Sequence, residues 1–168
     1  MPASAQLAVS EYLATSYAPD RDYLDGEAVE RNVGERTHSN VQGLLYAFLL
    51  KKKPEWGLHP LVEQRVQVGS ARFRIPDVCA LDPGAPFEEV VTHPPHLCAE
   101  ILSKDDSMTQ MQERIDDYLR MGVPNVWVID PRTRRGYHYT TDGMHEAKDG
   151  ILRTIGSRAA VPLLDLFN

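Results

Sequence analysis

Asp77 follows Pro76 in a strand-like run, and Glu100 stands in a second such run, Leu97-Cys98-Ala99-Glu100-Ile101-Leu102-Ser103. Two carboxylates at the ends of adjacent strands can share one hard cation, Mg²⁺ or Mn²⁺. A metal held that way activates water against a phosphodiester. Each acid also has a plainer reading. An aspartate after a proline commonly ends a strand or caps a turn. A glutamate inside an apolar run is costly to bury without a cation or partner, so it calls for a metal or for a salt bridge to Arg72, Arg74 or Arg114.

The elements that must position this pair follow from periodicity and punctuation. Residues 1–10 read as a loose lead-in and Val9 to Leu13 as a short helix. Asp25-Gly26 marks a turn between Tyr23-Leu24 and Ala28-Val29. From Thr37 to about Lys52 the apolar residues Val41, Leu44, Leu45, Phe48 and Leu49 recur at helical spacing. Thr37 or Ser39 is available as N-cap, and Pro54 is expected to end the helix. Leu61–Val68 and Ala71–Leu81 read as two strands of a hairpin across Gly69-Ser70. A proline-rich loop over 83–95 leads into the Glu100 strand. Met108, Met111, Ile115, Tyr118 and Leu119 mark an amphipathic helix over 105–121, stopped by Gly122 and Pro124. In that helix Asp116 and Asp117 are expected on the solvated face. Val126–Ile129 is wholly apolar and reads as a central strand, parallel to the Glu100 strand. Arg135–Thr140 and Ile151–Ile155 read as closing antiparallel strands. The fold class predicted is α/β, a mixed sheet flanked by helices.

With 168 residues, 42% of them hydrophobic and 25% charged, the chain fits one soluble domain over 1–168. The first residues lack a signal-peptide pattern and no apolar run reaches membrane-spanning length. Cys79 and Cys98 lie in apolar runs and read as buried free thiols, which points to a cytoplasmic location. The formal charge of −6 argues against a general nucleic-acid coat protein. It leaves room for a local basic cleft on an acidic body. No phosphate-binding loop, nucleophile elbow or dinucleotide fingerprint occurs, so no organic cofactor is expected. His93 and His96 lack partners at zinc spacing.

Helix, hairpin ending in Pro-Asp, strand with Glu, helix, strand is the core order of the PD-(D/E)xK nucleases. More closely, the chain resembles the Uma2 family of restriction-endonuclease-like proteins. The carrying residues are Tyr23-Leu24-Asp25-Gly26-Glu27, His38, Ile75-Pro76-Asp77-Val78, Pro94-Pro95-His96-Leu97 and Glu100-Ile101-Leu102-Ser103. They continue from Tyr118 through Gly122-Val123-Pro124 to Trp127-Val128-Ile129-Asp130-Pro131. The resemblance implies DNA as substrate and Asp77 and Glu100 as metal ligands. It offers Glu27 as a further ligand, against a solvated turn acid, and His38 beside the metal-bound water or substrate, against a capping or buried hydrogen-bonded histidine. A homodimer is expected on general grounds, since a small domain with one active site often cuts a duplex as a dimer. The lysine of the general nuclease pattern, two residues past the glutamate, is replaced by Leu102. Where relatives carry a lysine on the following helix, four residues before the tyrosine, this chain has Arg114. An arginine holds phosphate charge well and is a poor general base. If the Glu100 strand stays extended, Lys104 shares its face and could reach a phosphate; otherwise it is a solvated turn residue. The resemblance thus implies a metal-dependent endonuclease, or a nuclease fold whose missing lysine leaves it a binding module.

Overall fold

The computed structural model describes residues 5–32 and 34–167. Its centre is a six-stranded mixed sheet built from β3 (His59–Val62), β6 (Val78–Leu81), β7 (Leu97–Ile101), β8 (Asn125–Asp130), β9 (Arg135–Thr140) and β10 (Gly143–Glu146). Spatial order is β10-β9-β8-β7-β6-β3, and only β7 and β8 run parallel, in register from Leu97 opposite Asn125 to Ile101 opposite Ile129. Helix α2 (Arg36–Trp56) covers one face through Val41, Leu45 and Leu49. Helix α3 (Met108–Met121), the crossover between β7 and β8, covers the other through Met111, Ile115 and Tyr118. Alternation along β7 decides which side chain sees which helix: Leu97, Ala99 and Ile101 pack on the α2 side, and Cys98 packs on the α3 side. Glu100, two residues on from Cys98, therefore faces α3.

A second, four-stranded sheet has the order β2-β1-β5-β4, from β1 (Asp22–Leu24), β2 (Glu27–Val29), β4 (Val66–Gly69) and β5 (Arg72–Arg74). Tyr12 of α1 (Val9–Ala14) packs on Tyr23 and Phe73 at its face. Of the expected lead-in, residues 1–4 lie outside the described residues. Beyond them Leu7 is tied down, its N–H donating to Gly26 O and its carbonyl accepting from Tyr23 Oη. The last strands, β11 (Ile151–Arg153) and β12 (Ala160–Pro162), form their own pair, followed by a 3₁₀ turn over Leu163–Leu166.

The two long hairpin strands expected at 61–68 and 71–81 are each broken in two. One antiparallel register nevertheless runs through both halves, Val62 opposite Val78 and Val66 opposite Arg74. The break lies where Glu63 takes a positive φ of 47° opposite Asp77 and where the adjacent Pro76 has no N–H for a ladder. The hairpin bends there, from the four-stranded sheet into the six-stranded one, and Asp77 sits at the bend. Helix α2 also departs from expectation. It starts at Arg36 with Glu35 as an N-cap that makes no side-chain cap bond, so neither Thr37 nor Ser39 serves. It runs through Pro54 to Gly57, whose φ of 73° closes it. Pro54 falls in the last turn, where one lost bond is offset by Trp56 packing on Phe48 and under Lys52.

Candidate active site

Asp77 immediately precedes β6. Because Val78 stands opposite Ala99, the antiparallel register sets Asp77 opposite Glu100. Both are buried, at 4% and 3% exposure. Asp77 is held from three sides. Its Oδ2 accepts from Ile101 N at 2.7 Å and contacts His38 Nε2 at 3.1 Å, and Oδ1 accepts from Arg31 Nη2 at 3.4 Å. Its carbonyl accepts from Gln42 Nε2. His38 and Gln42 lie one turn apart on α2, so the first turns of that helix clamp the bend. Burial alone would lower the His38 pKa, but the Asp77 contact outweighs it and leaves His38 raised, holding its proton toward the carboxylate. Its Nδ1 is buried without a hydrogen-bond partner among the described residues.

Glu100 is partnered differently. Tyr118 Oη donates to its Oε1 at 2.5 Å, and none of the ion pairs among the described residues includes it. The salt bridge to Arg72, Arg74 or Arg114, open from sequence, does not form. Desolvation and the neighbouring Asp77 charge push the Glu100 carboxyl up to about 8, against the pull of Arg114, Tyr118 and Arg31. Burial and Glu100 also keep Tyr118 protonated, as the donor in that bond. Arg114 lies one turn before Tyr118 on α3 and stays charged. Desolvation opposes its charge, and Glu100 and Asp22 restore it. It contacts Asp106 at 3.4 Å and Asp22 at 4.0 Å.

The structure brings Asp77, Glu100, His38 and Arg114 together and leaves two candidates apart. Lys104 follows the end of β7 in a turn, exposed, with Nζ 2.7 Å from the exposed Glu35. The strand does not stay extended to residue 104, so Lys104 does not share the face of Glu100. Glu27 is exposed at the start of β2, and its side chain makes no hydrogen bond or ion pair among the described residues. The buried acid supplied by that hairpin is instead Asp22. It receives Arg74 at 3.0 Å and has Arg31 at 3.9 Å, and its Oδ1 lacks a hydrogen bond among the described residues. Arg31 thus bridges Asp22 to Asp77. Asp117, expected in solvent, is buried at 3% exposure and held by Arg72 at 2.8 Å and Arg74 at 2.7 Å. Two arginines alternating on β5 were the sequence signal that buried acids must face that strand. Asp22, Arg31 and Gln42 had no such signal, because their partners are distant in sequence.

A profile of the Uma2 family, described as "Putative restriction endonuclease", matches residues 9–158. The chain belongs to the Uma2 family. Among solved structures it is similar to "a putative nuclease belonging to DUF820 from Anabaena variabilis ATCC 29413", with a TM-score of 0.81 over 94% of this chain and 96% of that one. At 20% identity that likeness is one of fold. No curated protein matches the sequence. The mixed sheet flanked by helices is therefore the restriction-endonuclease-like architecture expected. Within this Uma2 chain the donor chemistry suits a hard cation. Among the described residues no three His, Cys, Asp or Glu side chains gather as a self-sufficient metal site. Mg²⁺ does not require one, since it takes one or two carboxylates and completes its shell with water and substrate oxygens. A buried, cation-free glutamate opposite a buried aspartate fits that need.

Proposed function

We propose that this Uma2 protein hydrolyses DNA phosphodiester bonds with Asp77 and Glu100 holding Mg²⁺ or Mn²⁺. The observation that carries the reading is Glu100: a carboxylate buried in an apolar strand, opposite Asp77, with no ion-pair partner among the described residues. A structural glutamate would carry its own cation; this one is left for a cation from outside. When bound, the metal would lower the pKa of a water and offset charge on the phosphate. The chain's own residues do the positioning. Tyr118 fixes the Glu100 carboxylate, and Ile101 N–H and His38 fix Asp77. Arg114 and Arg31 place permanent positive charge beside the pair, where a phosphate would need it. The protein would act as a cytoplasmic homodimer, with one such site in each copy.

Plasmid DNA incubated with Mn²⁺ tests this directly. Wild type should nick or cut it, and Asp77→Ala and Glu100→Ala should each stop cleavage while keeping the fold. Turnover that survives either change removes that residue from the mechanism. A specific observation favours a second reading, a nuclease fold that binds without cutting. Leu102 replaces the lysine, Arg114 contacts Asp106, and Lys104 is tied to Glu35. Binding of DNA with no cleavage in any divalent metal would select it.

A further inference from the structure

Two cavities adjoin at Thr37 and Pro131. The larger, about 680 Å³, opens on the α3 side of the sheet. Its floor includes Val128, Tyr137 and Tyr139, and its wall includes Met111 of α3 and His38 of the acidic site. The smaller, about 400 Å³, lies between the start of α2 and the 3₁₀ turn and includes Arg36 and Arg134. Arg132 borders the larger one. Glu35, Asp105 and Asp106 also line the larger cavity, and the arginines here differ in their pairing from the rest of the molecule. Of thirteen arginines in the chain, nine have a carboxylate partner. Among the described residues Arg36, Arg132, Arg134 and Arg158 do not, and the first three sit at these two cavities. Among the described residues Arg134 donates to the carbonyl of Phe167 and lies over its ring. The Asp130 carboxylate is turned to its own loop, accepting from Arg132 N and Thr133 N.

We infer that the adjoining cavities are the track of one unpaired nucleic-acid strand. Its phosphates would lie on Arg36, Arg132 and Arg134, and one unstacked base would enter the larger cavity against Tyr137 and Tyr139. The inference rests on the nuclease reading and deepens it by naming the substrate class. Three guanidiniums with no carboxylate partner among the described residues are the complement of a polyanion. The volume of the larger cavity lies in the range of small-molecule pockets. A base can reach its tyrosines only by leaving the stack, which is easiest in a single strand. The shared residue His38 then puts the next phosphate beside Asp77.

The test is anisotropy of a fluorescein-labelled 20-nucleotide DNA, single-stranded and as its duplex, in EDTA across a salt series. The single strand should bind more tightly than the duplex. Arg132→Gln/Arg134→Gln removes two phosphate contacts, so the slope of log K against log salt should fall by about 1.4, weakening binding on the order of 25-fold at 0.1 M salt. Lys51→Gln/Lys52→Gln, about 24 Å along α2 from Arg36 by helix rise, should change neither. Tyr139→Leu, which keeps an apolar wall, should erase the preference for the single strand. Duplex bound as tightly as the single strand overturns the inference, as does an unchanged slope in the double arginine variant. A Tyr139→Leu change seen only in sedimentation mass would make this face a contact between copies and also overturn it. Intact binding without cleavage would sink the hydrolase reading alone, and intact cleavage with unaltered binding in the arginine variant would sink the track alone.

Discussion

Glu100→Gln should make the metal-free protein more stable at neutral pH. The carboxyl rises from its ordinary 4.5 to about 8, first through burial and then through Asp77. Below pH 4.5 both folded and unfolded chains keep the proton, and Glu100 weakens nothing. Between 4.5 and 8 the unfolded chain releases it and the folded chain retains it, so stability falls as pH rises; above 8 the loss is complete. Each tenfold in proton affinity is worth about 1.4 kcal/mol, so the penalty is on the order of 3 kcal/mol at pH 7 and about 5 kcal/mol above pH 8. Glutamine does not titrate and can still accept the Tyr118 hydroxyl at the position of Oε1. Urea unfolding in EDTA at pH 4.5, 7 and 9 would measure the difference. Glu100→Gln should match wild type at the lowest pH and gain steadily above it, and added Mn²⁺ should stabilise wild type only. Parallel pH profiles for the two proteins, or a less stable variant at pH 7, would refute the argument that Glu100 is an uncompensated buried acid.

Other changes separate site from scaffold. Arg74→Ala leaves Asp22 and Asp117 buried without their shared guanidinium and should cost about 3–5 kcal/mol in chemical denaturation, with a large fall in Tm. Lys104→Ala removes only an exposed pair with Glu35, so stability should move by less than about 1 kcal/mol and nuclease activity should not change. Leu102→Lys places an amine beside Glu100 on a residue that already borders the larger cavity; plasmid cleavage should rise while the far-ultraviolet dichroism stays that of the wild type. Asp77→Asn should weaken the His38 contact, and the His38 titration followed by NMR should shift toward lower pH.

The elements with strong periodicity were legible in the sequence. Helix α3, the apolar β8 and the parallel β7–β8 pair follow from spacing and from the stop at Gly122. That Asp77 and Glu100 stand on neighbouring strands was read from the sequence, but their direct opposition was not, because the long connection over 82–96 between β6 and β7 fixes no register. What escaped was set by tertiary partners. Pro54 stays helical because Trp56 packs, and the long hairpin bends because Glu63 and Pro76 interrupt it at adjacent levels. Asp117 reads as solvated in a helical wheel until Arg72 and Arg74 arrive from a strand some forty residues earlier. Lys104 took the solvated-turn alternative that the sequence left open, because β7 ends at Ile101, three residues before it.

Cys79 and Cys98 stand directly opposite each other on β6 and β7, two residues behind Asp77 and Glu100 and fully buried. Burial pushes the Cys79 thiol up to about 12 and raises Cys98 as well, so neither is nucleophilic in the closed fold. Both become reactive only when the strands that carry the acids separate. A slow thiol-alkylating reagent therefore reads the opening frequency of the acidic pair without any added label. Any cation bridging Asp77 and Glu100 would clasp those strands together, and its arrival would be written in the lengthened lifetime of two sulfurs it never touches.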